Sequence, residues 1–299
     1  MNGHSGFLGT ISLALLVTGC STAHSDTPVR SATPLRYYVS IGDSYSVGYQ
    51  PSPTPGATAG YTAYVAQKEN LKLESFGCSG ATTASILHTN GCTAPYGPGA
   101  ATDSVPYASM SQAVAAEAFI RAHKGSIGLV TVSIGGNDIT SCVTAANPVS
   151  CVITALGTIK ANVTVLARGL RSAAGAGVPI IGLTYPDVFL GLWVYPPGKT
   201  DRDLATLSVT AFQSLFNPAL KTAYTGAGGT FLDITAATGA YTALTNLTTF
   251  APYGTIPKAV AEVCMLTWYC SQGHIHANTA GYTFIGQQIA TEYAKVSHS

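Results

Sequence analysis

Charge is what this chain has least of. Only 9% of its 299 residues are charged, against roughly 25% in an average soluble domain. The 14 Lys and Arg nearly balance the 13 Asp and Glu, for a formal net charge of +1. That balance gives no reason to expect a nucleic-acid partner or a strongly acidic one. Metal-ligand spacing is also missing. No C-x-x-C occurs and no cysteine cluster is paired with histidine, so a zinc site is not expected. The first apolar run, residues 7–17, is too short to span a bilayer. No linker-like stretch interrupts residues 36–295. One domain over 36–299 is therefore expected, although the length alone would allow two.

What the chain does have is a serine at a strand end. Tyr37-Tyr38-Val39-Ser40-Ile41 is an apolar run with β-branched residues, and Gly42-Asp43-Ser44-Tyr45 stops it abruptly. In an open α/β sheet, ligands sit beyond the carboxyl ends of the strands, so Ser44 is a candidate nucleophile. A serine hydroxyl is weak at neutral pH and needs a base and oxyanion donors. Three segments could supply them. These are Ser79-Gly80-Ala81-Thr82, then Gly135-Gly136-Asn137-Asp138 after the run 129–134, and His276-Ala277-Asn278-Thr279-Ala280-Gly281-Tyr282. The G-x-S-x-G nucleophile elbow of α/β-hydrolases does not surround Ser44.

Together these blocks resemble the SGNH hydrolases, also called the GDSL esterases and lipases, over roughly residues 36–295. The resemblance implies roles by position. Ser44 is the nucleophile, His276 the base, and Ser44, Gly80 and Asn137 the oxyanion donors. Tyr45 stands where the family usually has Leu. Read singly, Ser44 could be a turn or N-cap residue, Gly80 a turn glycine and Asn137 a helix cap. One departure concerns the base. The family's acid, three residues before the histidine, is here Gly273. A backbone carbonyl of Gly273 or a close neighbour is expected to orient His276 instead, which leaves a Ser–His dyad. A carbonyl can fix the imidazole tautomer but helps an imidazolium less than a carboxylate does. His274 lies close by, but the run after His276 has the family spacing. Asp43 and Asp138 are read as structural. Asp187 and Asp233 are remote candidates for an acid partner.

The seven cysteines fit the same picture. Leu16-Val17-Thr18-Gly19-Cys20 resembles a bacterial lipobox, with residues 1–19 as signal peptide, Cys20 lipidated and 20–35 a flexible tether. Residues 1–6 carry no Lys or Arg, which is unusual for such a signal. Plain secretion with cleavage after Ala23 is the alternative. Cys78, Cys92, Cys142, Cys151, Cys264 and Cys270 remain, and six cysteines allow 15 pairings. Pairing each with its neighbour along the chain is the simplest, and secreted relatives with three disulfides have the same pattern.

A coarse pass finds strands at 37–41, 71–76, 128–134, 179–185 and 230–234. Helices are expected at 61–70, 110–123, 152–174, 203–224 and 279–296. Such alternation predicts an α/β fold. The resemblance makes it a three-layer α/β/α sandwich with a mainly parallel sheet, SGNH-hydrolase or flavodoxin-like. The apolar segment 187–197 follows a strand and could line an acyl groove through Phe189, Leu190, Leu192, Trp193 and Tyr195, or be core packing. Tyr253, Trp268 and Tyr269 could add aromatic walls near His276.

The expected activity is hydrolysis of carboxylic esters, acyl or aryl, small-molecule or lipid, by a secreted or lipid-anchored monomer without cofactor or metal. An acyltransferase using the same site is the alternative, as is a non-catalytic cell-surface binding protein on the same scaffold.

Overall fold

The computed structural model describes residues 35–297 apart from 53, 54, 57, 93–103, 141, 143 and 144, together with 1, 3 and 6. The expected signal peptide, Cys20 and nearly all of the tether lie outside the described residues. Within Pro34–Ser299, which forms one compact unit, five strands build the central sheet. They are β1 (Tyr37–Gly42), β2 (Lys72–Ser75), β3 (Ile127–Ser133), β4 (Ile180–Leu183) and β5 (Thr230–Leu232). Their order is β2-β1-β3-β4-β5 and every pairing is parallel. β3 and β4 are buried along their whole length, and β1 beyond its first residue. Parallel strands covered on both faces read as near-continuous apolar runs, which is why these were visible in the sequence.

Parallel neighbours need crossover connections, and helices supply them. α1 (Gly60–Glu69) joins β1 to β2. α2 (Thr83–His88) and α3 (Gln112–Ala122) lead to β3, and α4 (Gly136–Thr140) and α5 (Pro148–Ala174) lead to β4. A 3-10 turn at Val188–Trp193, α6 (Arg202–Ala211), a π-helical segment at Phe212–Phe216 and α7 (Asn217–Thr225) lead to β5. The chain then passes through α8 (Ile234–Ala237) and the hairpin β6 (Leu247–Phe250)–β7 (Gly254–Pro257). It closes with α9 (Lys258–Leu266), α10 (Tyr269–Gln272) and α11 (Thr279–Val296). α11 packs on α1 on one face, and α3, α5 and α7 pack side by side on the other. The result is a three-layer α/β/α sandwich.

The helices at 83–88 and 136–140 and the 3-10 turn at 188–193 were not expected, and two longer stretches also differ. The helix expected over 203–224 is broken by the π-helical turn, directly ahead of Pro218 in the first turn of α7. Proline donates no N–H and crowds the carbonyl four residues back, so the ladder shifts there. No elements were expected between β5 and α11. The structure has short ones, each of 4 to 9 residues, too brief to show a period.

This strand order places the topological switch point between β1 and β3. Ser44 lies just past the end of β1, and Asn137 opens α4 just past the end of β3.

Candidate active site

The turn after β1 is held from three directions. Gly42 adopts φ +146°, and a Cβ there would collide with the Ser133 carbonyl of the paired strand, so the position demands glycine. The side chain of Gln112, at the start of α3, accepts from Gly42 N–H at 2.6 Å and donates to Gly42 O at 3.1 Å. Asp43 is buried beside the nucleophile. Its carboxylate accepts from the Tyr45 amide at 3.0 Å and from the Tyr185 hydroxyl at 2.6 Å. Burial pushes the Asp43 carboxyl up to about 7. Asp43 therefore ties the turn together and makes no hydrogen bond to the base.

Ser44 Oγ lies 2.6 Å from His276 Nε2, across 232 residues of chain, and both side chains are buried. The histidine arrives on an irregular segment between α10 and α11. Tyr45 OH donates to Ile275 O at 2.7 Å, and Trp268 N–H donates to His276 O at 3.0 Å. Asn278 caps α11, accepting from Gly281 N–H at 2.9 Å. The Tyr45 ring stacks near the His276 ring, with centroids 5.6 Å apart. Burial, with a smaller push from the charge of His274, lowers His276 from the usual 6.5 to about 3. A neutral imidazole is what a base needs.

The expected carbonyl partner is not the group found. His276 Nδ1 lies 3.0 Å from Nδ1 of His274, and among the described residues no carbonyl accepts from it. Gly273 ends α10 at φ +66°, with its N–H bonded to Tyr269 O and its Cα against the Tyr195 ring. That left-handed cap turns the chain so that the next side chain, not a carbonyl, meets the imidazole. The two remote acids are engaged elsewhere. Asp233 caps α8 and accepts from Asn217 Nδ2. Asp187 bonds Ser208 at 2.8 Å, and burial pushes its carboxyl up to about 7.

Asn137 reaches the loop that carries Gly80. Asn137 Nδ2 donates to Ala81 O at 2.8 Å, which leaves its second N–H for another acceptor. Gly80 precedes Ala81 at φ +81°. Neither its N–H nor that of Ser44 donates to any backbone carbonyl among the described residues. Asp138 fastens the two blocks, accepting from Thr83 N–H at 2.9 Å and from Thr83 Oγ1 at 2.6 Å. Asn162, on α5, donates to the same Thr83 hydroxyl. Three disulfides, Cys78–Cys92, Cys142–Cys151 and Cys264–Cys270, brace the loops around these blocks.

Two clefts meet here. A small one of about 40 Å³ holds Ser44, Tyr45, Asn137 and Tyr185. An almost wholly apolar one of about 140 Å³ runs between α5 and the α6–π segment and includes Leu156, Leu204 and Ala211. Ile139, Phe189 and Phe212 line both. The five side chains expected along 187–197 do not lie together. Phe189 lines the clefts, whereas Leu190 is buried in a second hydrophobic cluster with α9, against which Trp193 packs. Leu192 and Tyr195 line neither cleft. A 3-10 turn rotates successive side chains by about a third of a turn, so one segment cannot aim all five at one groove. The remaining wall comes from α5 and α6, which nothing in the sequence marked. Trp268 bonds Gln50 and Tyr253 bonds the Cys270 carbonyl. Tyr45 and Tyr49 are the rings beside His276.

The model of the GDSL-like lipase/acylhydrolase family matches residues 40–284. An extracellular lipase from Streptomyces rimosus is similar at 18% identity over 77% of this chain and 98% of its own, with a TM-score of 0.45. A family 2 carbohydrate esterase with a carbohydrate-binding domain, from Corynascus thermopiles (Myceliophthora fergusii), is similar at 14% identity. That match spans 89% of this chain and 68% of the other, with a TM-score of 0.46. No curated protein matches.

Proposed function

The chain belongs to the GDSL-like lipase/acylhydrolase family and is an esterase-type hydrolase, and from that premise we propose that it hydrolyses carboxylic esters of acyl chains through an acyl-Ser44 intermediate. The observation that carries this reading is the 2.6 Å approach of Ser44 Oγ to His276 Nε2 beside an apolar cleft.

Ser44 Oγ attacks the ester carbonyl carbon while its proton passes to His276 Nε2. The carbonyl oxygen gains the negative charge and meets the free N–H groups of Ser44, Gly80 and Asn137. The C–O bond to the alcohol breaks, and His276 returns the proton to the leaving oxygen. Water then attacks the acyl-enzyme by the same sequence in reverse, releasing the carboxylic acid and restoring Ser44. The acyl chain lies along the apolar cleft past Phe189 and Phe212. A cavity of roughly 150 Å³ holds a benzene ring, so about six carbons fit. Longer chains extend over the exposed Ile153, Leu207 and Leu215 at the rim. The disulfides support an extracytoplasmic location, and Cys20 is the proposed lipid anchor.

The test is steady-state hydrolysis of p-nitrophenyl esters from acetyl to palmitoyl by the protein and its Ser44→Ala variant. Turnover best at medium chain length, and lost in the variant by a factor on the order of 10⁴ or more, is expected. Equal turnover in both, or none with any ester, would overturn the reading.

A further inference from the structure

The base has a partner that is neither a carboxylate nor a carbonyl. For Ser44 to give its proton to His276 Nε2, that nitrogen must carry a lone pair. A neutral imidazole has one N–H, so the proton must sit on Nδ1. Nδ1 faces His274 Nδ1 at 3.0 Å. Two facing ring nitrogens form a hydrogen bond only when one is protonated and the other is not. His274 must then carry its own proton on Nε2 and accept at Nδ1. The opposite arrangement would protonate His276 Nε2 and leave Ser44 without a base.

His274 is held for this task. Its ring stacks on Tyr49 at 5.6 Å with an interplanar angle of 22°. The backbone on either side is fixed through Gly273 N–H to Tyr269 O and Tyr45 OH to Ile275 O. His274 is only half-buried, so water can satisfy its second nitrogen. Burial lowers both imidazoles below the usual 6.5, which keeps both neutral near pH 7.

We propose that His274 is the positioning residue of this site, a neutral imidazole that fixes the tautomer and orientation of His276 in place of an acid. This rests on the ester-hydrolysis reading above. During attack His276 gains the Ser44 proton at Nε2 and keeps its Nδ1 proton, which His274 continues to accept. No proton passes to His274. The site works as a Ser–His–His relay of hydrogen bonds with a single proton transfer.

The test compares the protein with His274→Phe, which keeps a ring against Tyr49 but has no acceptor, and His274→Asn, whose amide oxygen can stand where Nδ1 stands. On a p-nitrophenyl ester, His274→Phe is expected to lose kcat by on the order of 10²-fold with KM little changed. His274→Asn is expected to keep kcat within about tenfold of the parent. ¹⁵N NMR of the His276 ring should show the Nδ1–H tautomer in the parent and in His274→Asn, and a mixture in His274→Phe. Equal kcat in all three proteins, equal losses in both variants, or an Nε2–H tautomer in the parent would overturn the proposal. The NMR readout needs no turnover, so an inactive parent protein would count against the esterase reading while the tautomer still decides this one.

Discussion

The two halves of the site are built differently. Ser44 and Asn137 stand at the ends of β1 and β3, two neighbouring inner strands, with the Gly42 cradle and the Asp138–Thr83 clamp behind them. His276 stands on an irregular segment between a 4-residue helix and the N-terminus of α11, held by Tyr45 OH on Ile275 O and by two backbone bonds, Trp268 N–H to His276 O and Asn278 N–H to Leu266 O. The nucleophile half is positioned by sheet register, where moving one residue would disturb a whole ladder. The base half is positioned by one short backbone bridge, Thr267 to Ala277, and by a few side chains. Strain and substitution should therefore be absorbed mainly on the histidine side, and that side can change its orienting group while the serine side stays the same.

The difference can be broken at either half. On the nucleophile half, Asn137→Ala removes an oxyanion donor and its bond to Ala81 O. It is expected to lower kcat for a p-nitrophenyl ester by on the order of 10²–10³, with the disulfides and the fold intact by circular dichroism. On the base half, Tyr45→Phe keeps the ring beside His276 and removes only the hydroxyl that holds Ile275 O. One lost hydrogen bond corresponds to about 1 kcal/mol, so kcat is expected to fall by only about fivefold. A loss as large as that of Asn137→Ala would erase the contrast between the halves.

The smallest effect is in the pH profile. A base is active when neutral, so activity is present above its pKa and lost as pH falls through it. Burial holds His276 well below 6.5, so kcat/KM is expected to change little between pH 8 and pH 6. A histidine at 6.5 would lose about fourfold over that interval. An acidic limb centred at or above 6.5 would show that His276 is more open to water than its burial indicates.

The same contrast explains what could be read from the sequence. β1 and β3 are legible because buried parallel strands write continuous apolar runs, and Gly42-Asp43-Ser44 and Gly136-Asn137 end them. The Gln112 bridge to Gly42 spans 70 residues and leaves no local trace. The elements of 234–272 are too short for a period to develop. The wall formed by α5 and α6 was invisible because an apolar helix face looks the same against a core or a cleft. The histidine pair did leave a signal. In extended backbone, residues two apart share a side, so His274-Ile275-His276 is a spacing that can bring two imidazoles together.

The most direct test of the account is to treat the protein with a p-nitrophenyl alkylphosphonate and map the modified residue by mass spectrometry. The account predicts one adduct, on Ser44, formed far more slowly in His276→Ala. An adduct on another serine, or none under conditions where the protein is folded, would contradict it.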